Sequence, residues 1–150
     1  VDLHAALSGL LAAFYNDFTD AGFEVAVDLA EGLPPVWGDR GAVLRVFTNL
    51  LRNALDHGNG ELTVRLFREG DRVVSLFANR TDQLTEEDLP HVFDRFFTSD
   101  KMRTGRNTGL GLAIVRALAD RMDCRTEASL ADGRFTILVS WRVHGKNADQ

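Results

Sequence analysis

The sequence predicts an α+β protein, a two-layer sandwich in which a mixed, mostly antiparallel sheet is covered on one face by helices. Three observations predict it. Two long segments, 3–18 and 40–57, carry apolar residues at steps of 3 and 4. Two pairs of strand-like segments meet at Glu69-Gly70-Asp71 and at Asp132-Gly133, both hairpin signals. Helical and strand segments do not alternate regularly, which argues against a doubly wound parallel sheet.

In chain order, Leu3, Leu7, Leu10, Leu11, Phe14 and Phe18 form one apolar stripe of a first helix, and Gly22 ends that region. Glu24 to Leu29 alternates as a strand. Gly32, Pro34 and Pro35 break the chain before a possible short strand at Val36-Trp37. Asp39 is placed to N-cap the second helix, whose apolar side carries Val43, Val46, Phe47, Leu50, Leu51 and Ala54. Gly58-Asn59-Gly60 stops that helix. Segments 62–66 and 73–77 form the first hairpin, residues 79–85 a polar loop, and Glu86 to Phe96 a short helix. Residues 98–108 supply nothing to a core and read as a lid or binding loop. A third helix runs from Gly109 through Met122, and segments 125–130 and 134–142 make the second hairpin. Residues 1–143 read as one domain and 144–150 as a frayed, disordered tail.

Composition narrows the function classes. The 150 residues are 45% hydrophobic and 26% charged, a globular balance. The net charge of −5, without a basic stripe, argues against nucleic-acid binding. No apolar run approaches the ~20 residues of a membrane span, and the N-terminus has no signal-peptide pattern. A start at Val1 rather than Met reads as a fragment of a longer protein. Cys124 stands alone, so neither an internal disulfide framework nor a Cys-rich zinc site is expected. It reads as a small buried residue.

Two features bear on chemistry. Asn49, Asn53, Asp56 and His57, at spacings of 4, 3 and 1, share the polar side of the second helix. Asparagine is a poor mid-helix residue, because its amide competes for the backbone. Either the two amides are simply solvated, or their oxygens serve a hard cation such as Mg²⁺, which keeps most of its water and needs few protein ligands. The second feature is Gly109-Leu110-Gly111-Leu112 after Thr108, where glycines open a helix and leave N–H groups for an anion. It is neither a Walker loop nor G-x-G-x-x-G.

Taken in order, Asn49-Leu50-Leu51-Arg52-Asn53-Ala54-Leu55-Asp56-His57, Phe93-Asp94-Arg95-Phe96-Phe97 and Thr108-Gly109-Leu110-Gly111-Leu112 resemble the N-, F- and G2-boxes of sensor histidine kinase catalytic domains. These belong to the Bergerat-fold (GHKL) ATPases. The resemblance runs from about Leu3 to Trp141. It implies a Bergerat fold with an ATP lid, and a domain that binds Mg-ATP and passes the γ-phosphate to a histidine on a dimerisation domain absent from this chain. Asn53 matches the Mg²⁺ ligand. Asn49 and His57 match positions near the metal and phosphates, and an amide at 49 cannot serve as a general base for hydrolysis.

The implied nucleotide-binding set adds Asp56, Asn79, Thr81, Gln83, Leu84, Phe97, Lys101, Arg103, Thr108, Gly109, Leu110, Gly111 and Leu112. Several positions depart from the family pattern. Asn79 stands where an Asp accepts the adenine amino proton, and Thr81 and Gln83 replace two glycines, so a rebuilt loop is expected. Asp56 replaces a Lys. Thr98 replaces an Arg, which leaves Lys101, Arg103 and Arg106 as candidate phosphate contacts. Asp123-Cys124 replaces a Gly-Gly turn, which is expected to differ. The resemblance also implies a response regulator acting through the parent protein. It places this domain in the cytoplasm, without membrane contact, and the parent in the bacterial plasma membrane. A docking module without kinase activity and an anti-sigma-factor-type serine kinase are the competing functions.

Overall fold

A computed structural model describes residues 1–95, 97 and 111–144. In chain order it contains α1 (Leu3–Asp20), β1 (Glu24–Leu29), α2 (Arg40–His57), β2 (Glu61–Glu69), β3 (Arg72–Arg80), a 3-10 helix (Glu86–His91), α3 (Gly111–Arg121), β4 (Arg125–Ala131) and β5 (Arg134–Arg142). The five strands form one sheet in the order β1-β2-β3-β5-β4. Only the β1–β2 pair is parallel, and α2 is the crossover that a parallel pair requires.

Strand alternation decides which face carries the helices. Leu62, Val64 and Leu66 of β2 lie level with Asn79, Phe77 and Ser75 of β3, which lie level with Phe135, Ile137 and Val139 of β5. All nine are buried. The six apolar residues predicted for the inner side of α2 are buried too. Phe47 sits 5.8 Å from the Phe77 ring and 5.5 Å from Trp141, joining helix to sheet at the centre of the core.

The helix ends follow their local chemistry. Asp2 Oδ1 accepts from the Ala5 N–H, and Asp39 Oδ2 accepts from the Ala42 N–H at 2.9 Å. α1 runs two residues past the predicted stripe. It closes at Gly22 (φ 82°), where Phe23 N–H bonds to the Phe18 carbonyl and the two rings meet edge-on at 5.1 Å. α3 closes in the same way on Asp123, which takes the left-handed conformation (φ 58°) that glycine favours. The turn is held from outside: Arg142 pairs with the Asp123 carboxylate at 2.9 Å and Arg72 donates to its carbonyl at 2.8 Å.

Three expectations need correction. Glu86 to Phe96 is not one helix. Pro90 lacks an N–H and its ring crowds the carbonyl four residues back, so this stretch forms a 3-10 helix that ends at His91, and turns follow. Val36-Trp37 is a single bridge from Val36 to Val143 rather than a strand. His144, the first residue of the expected frayed tail, is tied down: its N–H bonds to the Pro35 carbonyl at 2.8 Å and its ring lies 4.9 Å from Trp37. Residues 145–150 lie outside the described residues.

Candidate functional site

The polar side of α2, the chain after β3 and the first residues of α3 converge. Asn49 shows how. Its Nδ2 donates to the Arg45 carbonyl oxygen one turn back, at 2.9 Å. That leaves Oδ1 directed at the start of α3, 3.7 Å from where a side chain on Gly111 would begin. Glycine at 111 therefore keeps space open beside an amide oxygen. Asn53, a turn further along, is half-buried, and its side chain makes no hydrogen bond with another described residue.

Asn79, next to last in β3, lies on the helix-covered face and is 5% exposed. Its Nδ2 donates to the Arg80 carbonyl at 3.1 Å, so its oxygen remains the acceptor. Gly58 makes room for it. A Cβ there would overlap the Ala54 carbonyl oxygen and stand 3.3 Å from Asn79 Nδ2.

The following loop is built without the expected glycines. Thr81 Oγ1 accepts from the Gln83 N–H at 3.0 Å and lies 3.5 Å from the His57 carbonyl. Asn59 N–H bonds to the Arg80 carbonyl at 2.7 Å, and the Gln83 side chain lies beside the His57 imidazole. Side chains thus stitch the end of α2 to residues 79–83. Leu84 and Leu112 pack partly buried on the core.

Burial lowers the pKa of the His57 imidazole, against the smaller opposing effects of the Asp56 charge and the Gln83 side chain. Without a ligand the burial favours the uncharged imidazole. Burial pushes the Cys124 thiol up to about 12, so it is an inert core residue, as its lone position suggests.

The 3-10 helix and the chain after it are held by several small contacts. Thr85 and Asp88 form a capping box, and His91 Nδ1 lies 3.1 Å from Asp94 Oδ2. The His91 and Phe97 rings stack at 6.4 Å, and Val92 is buried. Lys101, Arg103, Arg106, Thr108, Gly109 and Leu110, together with the stretch read as a lid, lie outside the described residues.

Amide oxygens are hard donors, so Asn49 and Asn53 fit a Mg²⁺ ion that keeps water and phosphate oxygens in its remaining positions. Among the described residues no group of three His, Cys, Asp or Glu is placed to hold a metal. Two contributors escaped the sequence reading. Gly58 reads there only as a helix stop. Arg116 carries no reading there, yet its guanidinium lies 4.3 Å over the Phe93 ring.

The model of the family described as histidine kinase-, DNA gyrase B-, and HSP90-like ATPase matches residues 38–144. A sensor histidine kinase component of Mycobacterium tuberculosis, HK1, is 40% identical over 74 residues, covering 49% of this chain and 44% of that protein. The signal transduction histidine-protein kinase BaeS of Escherichia coli is 30% identical over 133 residues, covering 86% of this chain and 28% of that protein. The chain thus spans less than half the length of these curated relatives. Among solved structures, the mycobacterial sensor histidine kinase MprB superposes with a TM-score of 0.83 at 23% identity, covering 95% of this chain and 97% of that one. The catalytic domain of the histidine kinase ThkA, in a nucleotide-free form, gives 0.83 at 18% identity, covering 95% and 93%. At these identities the two structures speak for the fold.

Proposed function

Because the chain belongs to the histidine kinase-, DNA gyrase B-, and HSP90-like ATPase family, we propose that it is the ATP-binding catalytic domain of a sensor histidine kinase that passes the γ-phosphate to a histidine on another domain. The observation that carries the site assignment is the orientation of two asparagines. Asn49 and Asn79 each spend the amide N–H on a backbone carbonyl and keep the oxygen for something else. The Asn79 oxygen suits the adenine amino group, accepting one hydrogen bond in place of a carboxylate. Thr81, Gln83 and Leu84 flank it. The Asn49 and Asn53 oxygens suit Mg²⁺, and when bound the ion would offset charge on the triphosphate.

Each residue then has a limited task. Asn53 and Asn49 orient the metal-bound phosphates, and neutral His57 donates or accepts a hydrogen bond beside them. Gly111 and Leu112, with Thr108, Gly109 and Leu110, bring backbone N–H groups towards phosphate. Lys101 and Arg103 supply positive charge. Phe97 anchors the chain leading to them. The amides at 49 and 53 cannot take a proton from water, so the triphosphate is kept for its acceptor. Catalysis is positioning and charge neutralisation.

The acceptor histidine lies on a dimerisation domain of the parent protein, and a response regulator receives the phosphoryl group from it. Among the described residues no helix is long and apolar enough to cross a membrane. We place this domain on the cytoplasmic side of a parent held in the bacterial plasma membrane.

The test is transfer of label from γ-labelled ATP in the parent protein. Acid-labile, base-stable label on a histidine of the helical domain is the expected result. Label on a serine of a separate partner would move the chain to the serine-kinase class. No transfer, from a folded parent, would leave a docking module.

A further inference from the structure

We propose that Arg116 is a positioning residue for the nucleotide site, joining the two chain segments that flank residues 98–110. The inference rests on the nucleotide-binding reading above. Arg116 lies five positions into α3 from Gly111, the residue that faces Asn49. Its Nε donates to Thr126 Oγ1 on β4. Its guanidinium carbon stands 4.3 Å from the centroid of Phe93.

One side chain therefore meets three elements: the helix that begins the far flank, the sheet beneath it, and the aromatic segment that ends the near flank. The hydrogen bond matters for the ring contact. A guanidinium is planar, so fixing Nε on Thr126 also fixes the plane that covers Phe93. A flexible cation would leave that distance loose.

Phe93 follows the buried Val92 and precedes Phe97 by four residues. Holding Phe93 fixes the near flank as far as Arg95, and Arg116 stands in the helix that opens the far flank at Gly111. A ligand that touches Asn49 on one side and these flanks on the other feels their separation directly. A merely solvated charge on a helix would need neither contact.

The experiment is calorimetric titration of the full chain with Mg-ADP for wild type, Phe93→Leu, Arg116→Met and the double variant. Each is titrated well below its own melting temperature. Either single change should weaken ADP binding about tenfold, with the double variant no weaker than the singles, because one contact has been removed twice. Arg116→Lys keeps a cation over the ring but loses the fixed plane, so it should recover only part of the affinity. Amide hydrogen exchange across Val92–Phe97 should rise in Arg116→Met while α1 stays protected.

Wild-type affinity in Arg116→Met, or losses from the two single changes that simply multiply, would overturn the inference and leave the nucleotide site standing. A lower melting temperature with unchanged affinity would do the same, marking Arg116 as structural only. A folded wild type that binds no ADP would overturn the nucleotide reading and this inference with it.

Discussion

Ser75 and Asn79 stand four residues apart on one face of one strand, both buried, and they are wired in opposite ways. Ser75 is closed. Its hydroxyl donates to the Val139 carbonyl at 3.2 Å and accepts from Trp141 Nε1 at 3.0 Å, so a fully buried polar group is satisfied inside the core. Asn79 is open, with the N–H bound and the oxygen left over. The same sheet face thus passes, within four residues, from a polar contact that locks the fold to one left ready for a ligand. The difference predicts where damage appears as lost stability and where it appears as lost binding.

Breaking the closed end has the largest expected effect. Trp141→Ala removes a fully buried ring and the partner of Ser75. It should cost about 3–5 kcal/mol of unfolding free energy in urea titrations. Nucleotide affinity, measured on whatever fraction stays folded, should change little. Next comes the boundary between the two ends. Gly58→Ala puts a Cβ against the Ala54 carbonyl oxygen and the Asn79 amide, and should cost about 1–3 kcal/mol. The Cβ would also press on the Phe23 ring at 3.1 Å and on the Asn79 amide at 3.3 Å, so nucleotide binding should weaken as well if Asn79 gives way.

At the open end the balance reverses. Asn79→Leu should lower adenine nucleotide affinity about 10- to 100-fold, with a smaller change in melting temperature. Guanine nucleotides should be affected little, because guanine carries a carbonyl where adenine carries the 6-amino group assigned to Asn79.

The smallest effect is the pH dependence of His57. Its folded pKa lies below the unfolded value, so the unfolded chain takes up the proton first as pH falls. The stability attached to neutral His57 is complete above about pH 6.5, declines as pH drops through the folded pKa, and stays lost below it. Urea titrations of wild type and His57→Gln across that window should show a flatter curve for the variant.

Much of this was legible in the chain. The inner side of α2 was read residue by residue, because six apolar positions recur at helical steps and a capping aspartate marks the start. The second hairpin was legible from Asp132-Gly133, both of which take positive φ. Asn49 and Asn53 stood out as amides misplaced in a helix. What stayed hidden depends on distant partners. The strand order, with β5 between β3 and β4, is set by which apolar faces fit together. That Thr81 could rebuild a loop without glycine depends on its reach to Gln83 and His57. Arg116 has the spacing of an outward charge, and only the placement of Phe93 and Thr126 gives it a task. The short helix after residue 85 was overextended because Leu89, Val92, Phe93 and Phe96 keep helical steps in the sequence, whereas Pro90 disfavours the α-helical turn that would precede it.

The most direct test of the central claim, that the asparagines of this site present oxygens to a metal-bound adenine nucleotide, is a calorimetric titration with ADP in the presence and absence of Mg²⁺, beside Asn53→Ala. The account predicts binding that Mg²⁺ strengthens. Asn53→Ala should abolish that strengthening while metal-free binding through the Asn79 end survives. No binding at millimolar ADP by a cooperatively melting wild type, or an unchanged Mg²⁺ effect in Asn53→Ala, would contradict it.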